Sequence, residues 1–181
     1  MSTEAPQPHD DEPPPPGLSL DVDYACPSEG LPGEDDFRHW AETALALALE
    51  SDDDRPQTLE VALRLVEAEE SRALNHQWRD RDRPTNVLSF PGEHLPGLPW
   101  RHLGDLVICA SVVAREAAEQ NKQEAAHWAH MLIHGLLHLL GHDHQQDEEA
   151  EIMEDLERRI LAELGFPNPY EETRQKHTRQ S

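Results

Sequence analysis

Cysteine is almost missing from this chain: Cys26 and Cys109 are the two among 181 residues, far apart and without paired spacing. That excludes a disulfide scaffold and a thiolate metal site, and it fits reduced thiols in a cytoplasmic protein. Long apolar runs are missing too. The longest, Met131 to Leu140, is about half of the roughly 20 residues a spanning helix needs, and histidines interrupt it, so no membrane span is expected. The first residues are acidic and proline-rich, without the basic start and apolar core of a signal peptide. Basic side chains are scarce, with 15 Lys and Arg against 37 Asp and Glu and a formal charge of −22. Strong non-specific binding to polyanions rests on cationic contacts to phosphates, so the overall balance argues against it.

The scarcity is uneven. Residues 1–54 hold 15 acidic side chains and 1 basic one, and residues 147–170 hold 8 and 2. Residues 72–101 reverse the balance, with 3 acidic against 5 basic (Arg72, Arg79, Arg81, Arg83 and Arg101). A charge run is usually a solvated loop, and a phosphate-facing edge is the sharper alternative.

Residues 1–17, with Pro13 to Pro16 and several acids, cannot bury enough apolar surface to offset ordering and are expected to be disordered. One domain is expected over 18–170, followed by a polar tail at 171–181. Leu18 to Tyr24 alternates with period two, as does Thr58 to Val66, and both predict strands. Phe37, Trp40, Ala44, Leu47 and Ala48 recur at helical spacing over about 35–50. A short helix over 69–78, a basic loop, a short strand within Pro84 to Pro91 and a strand over Leu103 to Ala110 follow. Ser111 is placed to cap the next helix. A helix from about Gln123 carries the apolar run. Asp147 to Leu164 forms the last helix, with Ile152, Met153, Leu156, Ile160, Leu161 and Leu164 inward.

The chemistry concentrates between His134 and His144. A helix advances about 100° per residue, so His134 and His138 lie nearly above one another and can reach one metal ion. Gly141 can end the helix in the left-handed conformation, and the turn returns His144 as a third ligand. Three neutral imidazoles and an open position make the layout of a catalytic zinc site, although imidazoles also suit nickel, copper and iron. His142 is expected to be an outer-shell or solvent-facing residue. His127 and His130 share the face of His134 and His138 and are expected to be hydrogen-bonded helix histidines. Zinc peptidases with such a helix carry Glu after the first His as general base; here that position is Gly135, which excludes their chemistry.

The run HGLLHLLGHDH, His134 to His144, resembles the His-Gly-x-Leu-His-Leu-x-Gly-x-Asp-His signature of the YbeY family of bacterial rRNA maturation factors. Leu74-Asn75 through Arg79, PTNVLSFP (Pro84 to Pro91), LGDLVIC (Leu103 to Cys109), AHWAHMLIHG (Ala126 to Gly135) and DEEAEIME (Asp147 to Glu154) fall in the family's order, covering roughly 57–170. Many members have Asp after the Thr of the TNVLSF strand. This chain has Asn86, so that position receives little catalytic weight.

The resemblance implies a single α+β domain, with a small mixed sheet of about four strands packed on helices and a zinc site on a central helix. It implies Zn2+ held by His134, His138 and His144, and single-strand-specific RNA cleavage in 16S rRNA 3′-end maturation and ribosome quality control. Arg79 matches an arginine important in the family, where it would neutralise charge on the phosphate. An ion pair with Asp80 or Asp82 is the alternative for Arg79. Implied partners are the 16S precursor, small-subunit ribosomal proteins and the GTPase Era. A second reading keeps the zinc but makes the protein a ribosome assembly factor with little nuclease activity of its own. The open coordination position weighs against that reading, and the net acidity favours it.

Overall fold

The computed structural model describes residues 17–50, 56–93, 95, 97–142 and 146–170. The elements in chain order are β1 (Gly17–Tyr24), α1 (Glu34–Ala48), β2 (Thr58–Val66), α2 (Ala68–Arg79), β3 (Val87–Pro91), β4 (Trp100–Cys109), α3 (Ala110–Glu119), α4 (Glu124–Leu139) and α5 (Asp147–Glu163). Apart from Gly17, which opens β1, the tails expected at 1–17 and 171–181 lie outside the described residues.

Period-two alternation builds the sheet. Leu59, Val61, Leu63 and Leu65 of β2 are buried on one face, while Glu60, Ala62 and Arg64 turn to the other. The strands order as β1-β2-β4-β3, with β1, β2 and β4 parallel and β3 antiparallel to β4. This is the mixed four-stranded sheet and the α+β class expected from the resemblance. A register shift between Glu60 and Val61 marks a bulge opposite Gly104, whose φ is 143°. A Cβ at Gly104 would meet the Phe90 carbonyl oxygen at 2.2 Å, so only glycine fits this crossing of β3 and β4.

α4 lies at the centre of the layers, touching α1, α3, α5, β3 and β4. Twelve of its residues are buried, among them Trp128, Leu132, Ile133, Leu136 and Leu137. Each such aliphatic side chain contributes about 1.5–3 kcal/mol on leaving water. Gly135 lets the helix approach the sheet, since a Cβ there would lie 2.8 Å from Leu106 Cδ2 and 3.2 Å from Val87 Cγ2. α1 joins the same core through Phe37, Trp40, Ala41, Ala44 and Leu45, the i, i+3, i+4 spacing of an apolar stripe.

Two expectations need correction. Ser111 does not cap α3, because the helix starts directly from β4 at Ala110, with Cys109 in the N-cap position and no side-chain cap. The strand β4 continues into the helix without a turn, which puts Ser111 inside the first turn. Ile152 of α5 is not inward; it is 57% exposed, and the stripe that faces the core runs through Met153, Glu157, Ile160 and Leu161. Among the described residues no helix is long and apolar enough to cross a membrane.

Candidate metal centre and arginine pocket

α4 ends as its sequence dictates. Gly141 adopts φ 99°, its N–H donates to the His138 carbonyl at 3.0 Å, and the His142 N–H donates to the Leu137 carbonyl at 3.0 Å. These are the paired bonds of a helix end closed by a left-handed glycine. They hold the last turn of α4, and with it His138, in register with His134.

The Nε2 atoms of His134 and His138 lie 3.1 Å apart, with ring centroids separated by 4.6 Å. Two ligands of one tetrahedral ion at about 2.0–2.1 Å per bond sit roughly 3.3 Å apart, so the pair fits a shared metal. His144, the third expected ligand, lies outside the described residues. Among the described residues no group of three His, Cys, Asp or Glu side chains is placed to hold a metal ion. His142 is half-buried, and burial pushes its pKa down.

Behind the histidine pair stands Glu157, which sequence periodicity did not single out. It is fully buried, 0% exposed, yet three groups meet its carboxylate. His134 Nδ1–H donates to Oε1 at 2.6 Å, His130 Nε2–H donates to Oε2 at 3.0 Å, and the Tyr170 hydroxyl donates to Oε2. Burial pushes the Glu157 carboxyl up, but the hydrogen bonds from His130 and His134 outweigh it and hold the group well below the usual carboxylate range. Glu157 is therefore an anion that only accepts, so the His134 Nδ1 facing it carries a proton, while Nε2 faces His138. A carboxylate behind a metal-binding imidazole is the usual outer partner of such a ligand. Burial raises the Tyr170 hydroxyl pKa, and Glu157 raises it further, keeping that proton in place. The one sequence signal for Glu157 is a carboxylate on the Met153–Leu161 stripe of α5, where an apolar residue belongs.

His127 and His130 are buried and hydrogen-bonded, as expected. His127 Nε2–H donates to Glu116 at 3.0 Å, and Asn86 Nδ2 donates to the same carboxylate at 3.2 and 3.3 Å. Asn86 also accepts the Val87 N–H at 2.7 Å, so its side chain clamps the start of β3 to α3 and α4.

The basic segment forms a built cavity of about 640 Å³, lined by Asn75, Trp78, Arg79, Arg81, Arg83 and Thr85 and walled by Val87 and Leu88. α2 ends at Asp80, in the left-handed region at φ 56°, and the Arg81 N–H returns to the Asn75 carbonyl at 3.3 Å. Buried Asn75 donates from Nδ2 to the Arg83 carbonyl at 2.8 Å, which pins the loop from inside. Asp82 does not pair with Arg79. It is taken by Arg72, through bonds of 2.7 and 3.0 Å. Among the described residues no ion pair involves Arg79, Arg81 or Arg83, and all three residues line one cavity. Val87, in the wall of that cavity, packs against α4 at Gly135, the residue after His134.

The domain is of the α+β class and carries an imidazole pair on its central helix and, apart from it, a cavity lined by three arginines. The chain belongs to the YbeY family: the model of that family, described as Endoribonuclease YbeY, matches residues 28–165. An Endoribonuclease YbeY of Alkalilimnicola ehrlichii is 56% identical over 158 residues, covering 86% of this chain and 92% of the relative. The solution structure of TM1509 from Thermotoga maritima shares the fold with a TM-score of 0.53 and 26% identity, over 81% of this chain and 91% of that one.

Proposed function

We propose that this chain is an endoribonuclease, the activity its family and its relative are named for, and that it depends on a metal ion and cuts single-stranded RNA. The observation that carries the proposal is the approach of His134 and His138 to 3.1 Å at their Nε2 atoms, on a helix that touches the wall of an arginine-lined cavity. His134, His138 and His144 would hold one zinc ion, the three-histidine donor set found in catalytic sites. Zinc bound there supplies a Lewis acid for a phosphodiester oxygen.

The protein's own groups do the remaining work. Glu157 fixes the tautomer and the ring of His134. Arg79 takes the scissile phosphate in its planar fork and offsets charge that develops during cleavage, with Arg81 and Arg83 receiving neighbouring phosphates. Gly135 faces the sheet and brings no proton-accepting group, so this site does not run peptidase chemistry. The biological substrate is the 16S rRNA precursor at its 3′ end, in the cytoplasm, with small-subunit ribosomal proteins and the GTPase Era as partners and ribosome quality control as a further task.

The net charge of −22 favours a second reading, an assembly factor whose zinc is structural. Single-turnover cleavage of a single-stranded RNA spanning the 16S 3′ end separates the two. Zinc-loaded wild type should cut it, while metal-stripped protein and His138→Ala should not. A wild type that holds stoichiometric zinc and leaves the strand intact, alone and with ribosomal particles, supports the assembly factor instead.

A further inference from the structure

Trp78 is the most exposed of the large hydrophobic side chains among the described residues, at 62%, and it is the last residue but one of α2. Its indole meets Phe90 of β3 edge to face, with centroids 5.8 Å apart, so the ring is braced from one side and open on the other. It lines the arginine cavity and also a second groove of about 620 Å³ over the open face of the sheet. The two sides differ in charge. Arg79, Arg81 and Arg83 stand on one, while on the other Asp21, Asp23, Glu70 and Asp105 outnumber one cation, Arg64, which pairs with Asp23 and Glu70.

Leaving a tryptophan in water forgoes the burial of a large apolar surface, and packing does not demand it here. We propose that Trp78 is a stacking platform for one nucleobase of the single-stranded substrate, an inference that rests on the RNA-cleaving function proposed above. Unpaired bases stack on exposed aromatic rings beside cationic grooves that track the backbone. The arginines draw the phosphates to one side of the indole, and the carboxylates repel them from the other, so the base is left over the ring. A base inside a duplex has no free face to offer, and the platform thereby favours single strands.

The test is equilibrium binding to zinc-loaded protein by fluorescence anisotropy, in the cold and with the strand checked intact on a gel. Wild type, Trp78→Ala and Trp78→Phe are titrated with a labelled single-stranded RNA and with the same strand carrying abasic positions. Stacking is worth a factor of about ten or more per base. Trp78→Ala should lose about tenfold on the base-bearing strand, and Trp78→Phe should recover most of it. The abasic strand should bind wild type and Trp78→Ala alike. Equal binding of the base-bearing strand by wild type and Trp78→Ala overturns the inference while leaving the nuclease intact. Equal weakening on both strands also overturns it, because a general disturbance of the loop would act that way. A wild type that binds neither strand overturns the proposed function and the platform with it.

Discussion

Glu157 of α5 accepts the Nδ1–H of His134 of α4 at 2.6 Å, tying the last helix of the domain to the histidine pair of the central one. The same carboxylate gathers His130 and the Tyr170 hydroxyl, so one buried anion orders side chains from α4 and from the segment after α5.

Replacing Glu157 with Gln should therefore weaken metal binding about 10–100-fold, the usual effect of removing an outer partner of a metal-binding histidine. The amide also brings its own N–H groups into a cluster of donors, so stability should fall as well. Competition with a chromophoric zinc chelator reads the first effect and thermal melting reads the second. Unchanged zinc affinity in a folded Glu157→Gln protein contradicts the role given to this bond.

Gly135→Ala should destabilise the domain by about 1–3 kcal/mol, the cost of an extra methyl in a filled core. Its Cβ would sit 2.8 Å from Leu106 Cδ2 and push α4 off the sheet. Urea unfolding measures it, and a variant as stable as wild type contradicts the packing described for α4.

Much of this architecture was legible in the sequence, and the exceptions have physical causes. The bounds of β2, Thr58–Val66, follow directly from alternation, and the stop at Gly141 follows from glycine's tolerance of positive φ. β1 and β4 fill in around them with small shifts at their ends, β4 starting at Trp100 and not at Leu103. Ser111 misled because capping preference is a local signal, and here a strand runs straight into a helix. Ile152 and Glu157 misled for a non-local reason. Hydrophobicity assigns Ile to the core and Glu to water, but two imidazoles and a phenol, distant in sequence, satisfy the buried carboxylate. The same limit hid the partner of His127, since nothing near it in sequence points to Glu116.

Asp80 carries a left-handed backbone, φ 56°, in a non-glycine residue. Asp80→Gly should stabilise the protein by roughly 1 kcal/mol by relieving that conformation. It also removes a negative charge beside the arginine cavity, so RNA affinity should rise, most clearly at low salt. Thermal melting and a salt series of binding measurements check both effects. A lower melting temperature contradicts the strain assigned to Asp80.

Glu116 gives a pH-dependent prediction away from the histidine pair. The hydrogen bond from His127 lowers its pKa, and burial opposes this without cancelling it. A carboxyl depressed in the folded state stabilises above its unfolded pKa of about 4.3, and that contribution is lost as pH falls through the folded value. The melting-temperature difference between wild type and Glu116→Gln should be full near neutrality and shrink below about pH 4.3. A difference that grows with acidity contradicts the sign.

The most direct measurement is single-turnover cleavage of single-stranded RNA by Arg79→Glu, with zinc content and melting temperature determined on the same preparation. Arg79 lines the arginine cavity and forms no ion pair among the described residues, so reversing its charge should leave metal and fold in place. The expected result is wild-type zinc content and stability with cleavage slowed by about 100-fold or more, the scale for losing a group that stabilises developing charge. Cleavage at the wild-type rate would contradict the assignment of the arginine cavity to the scissile phosphate.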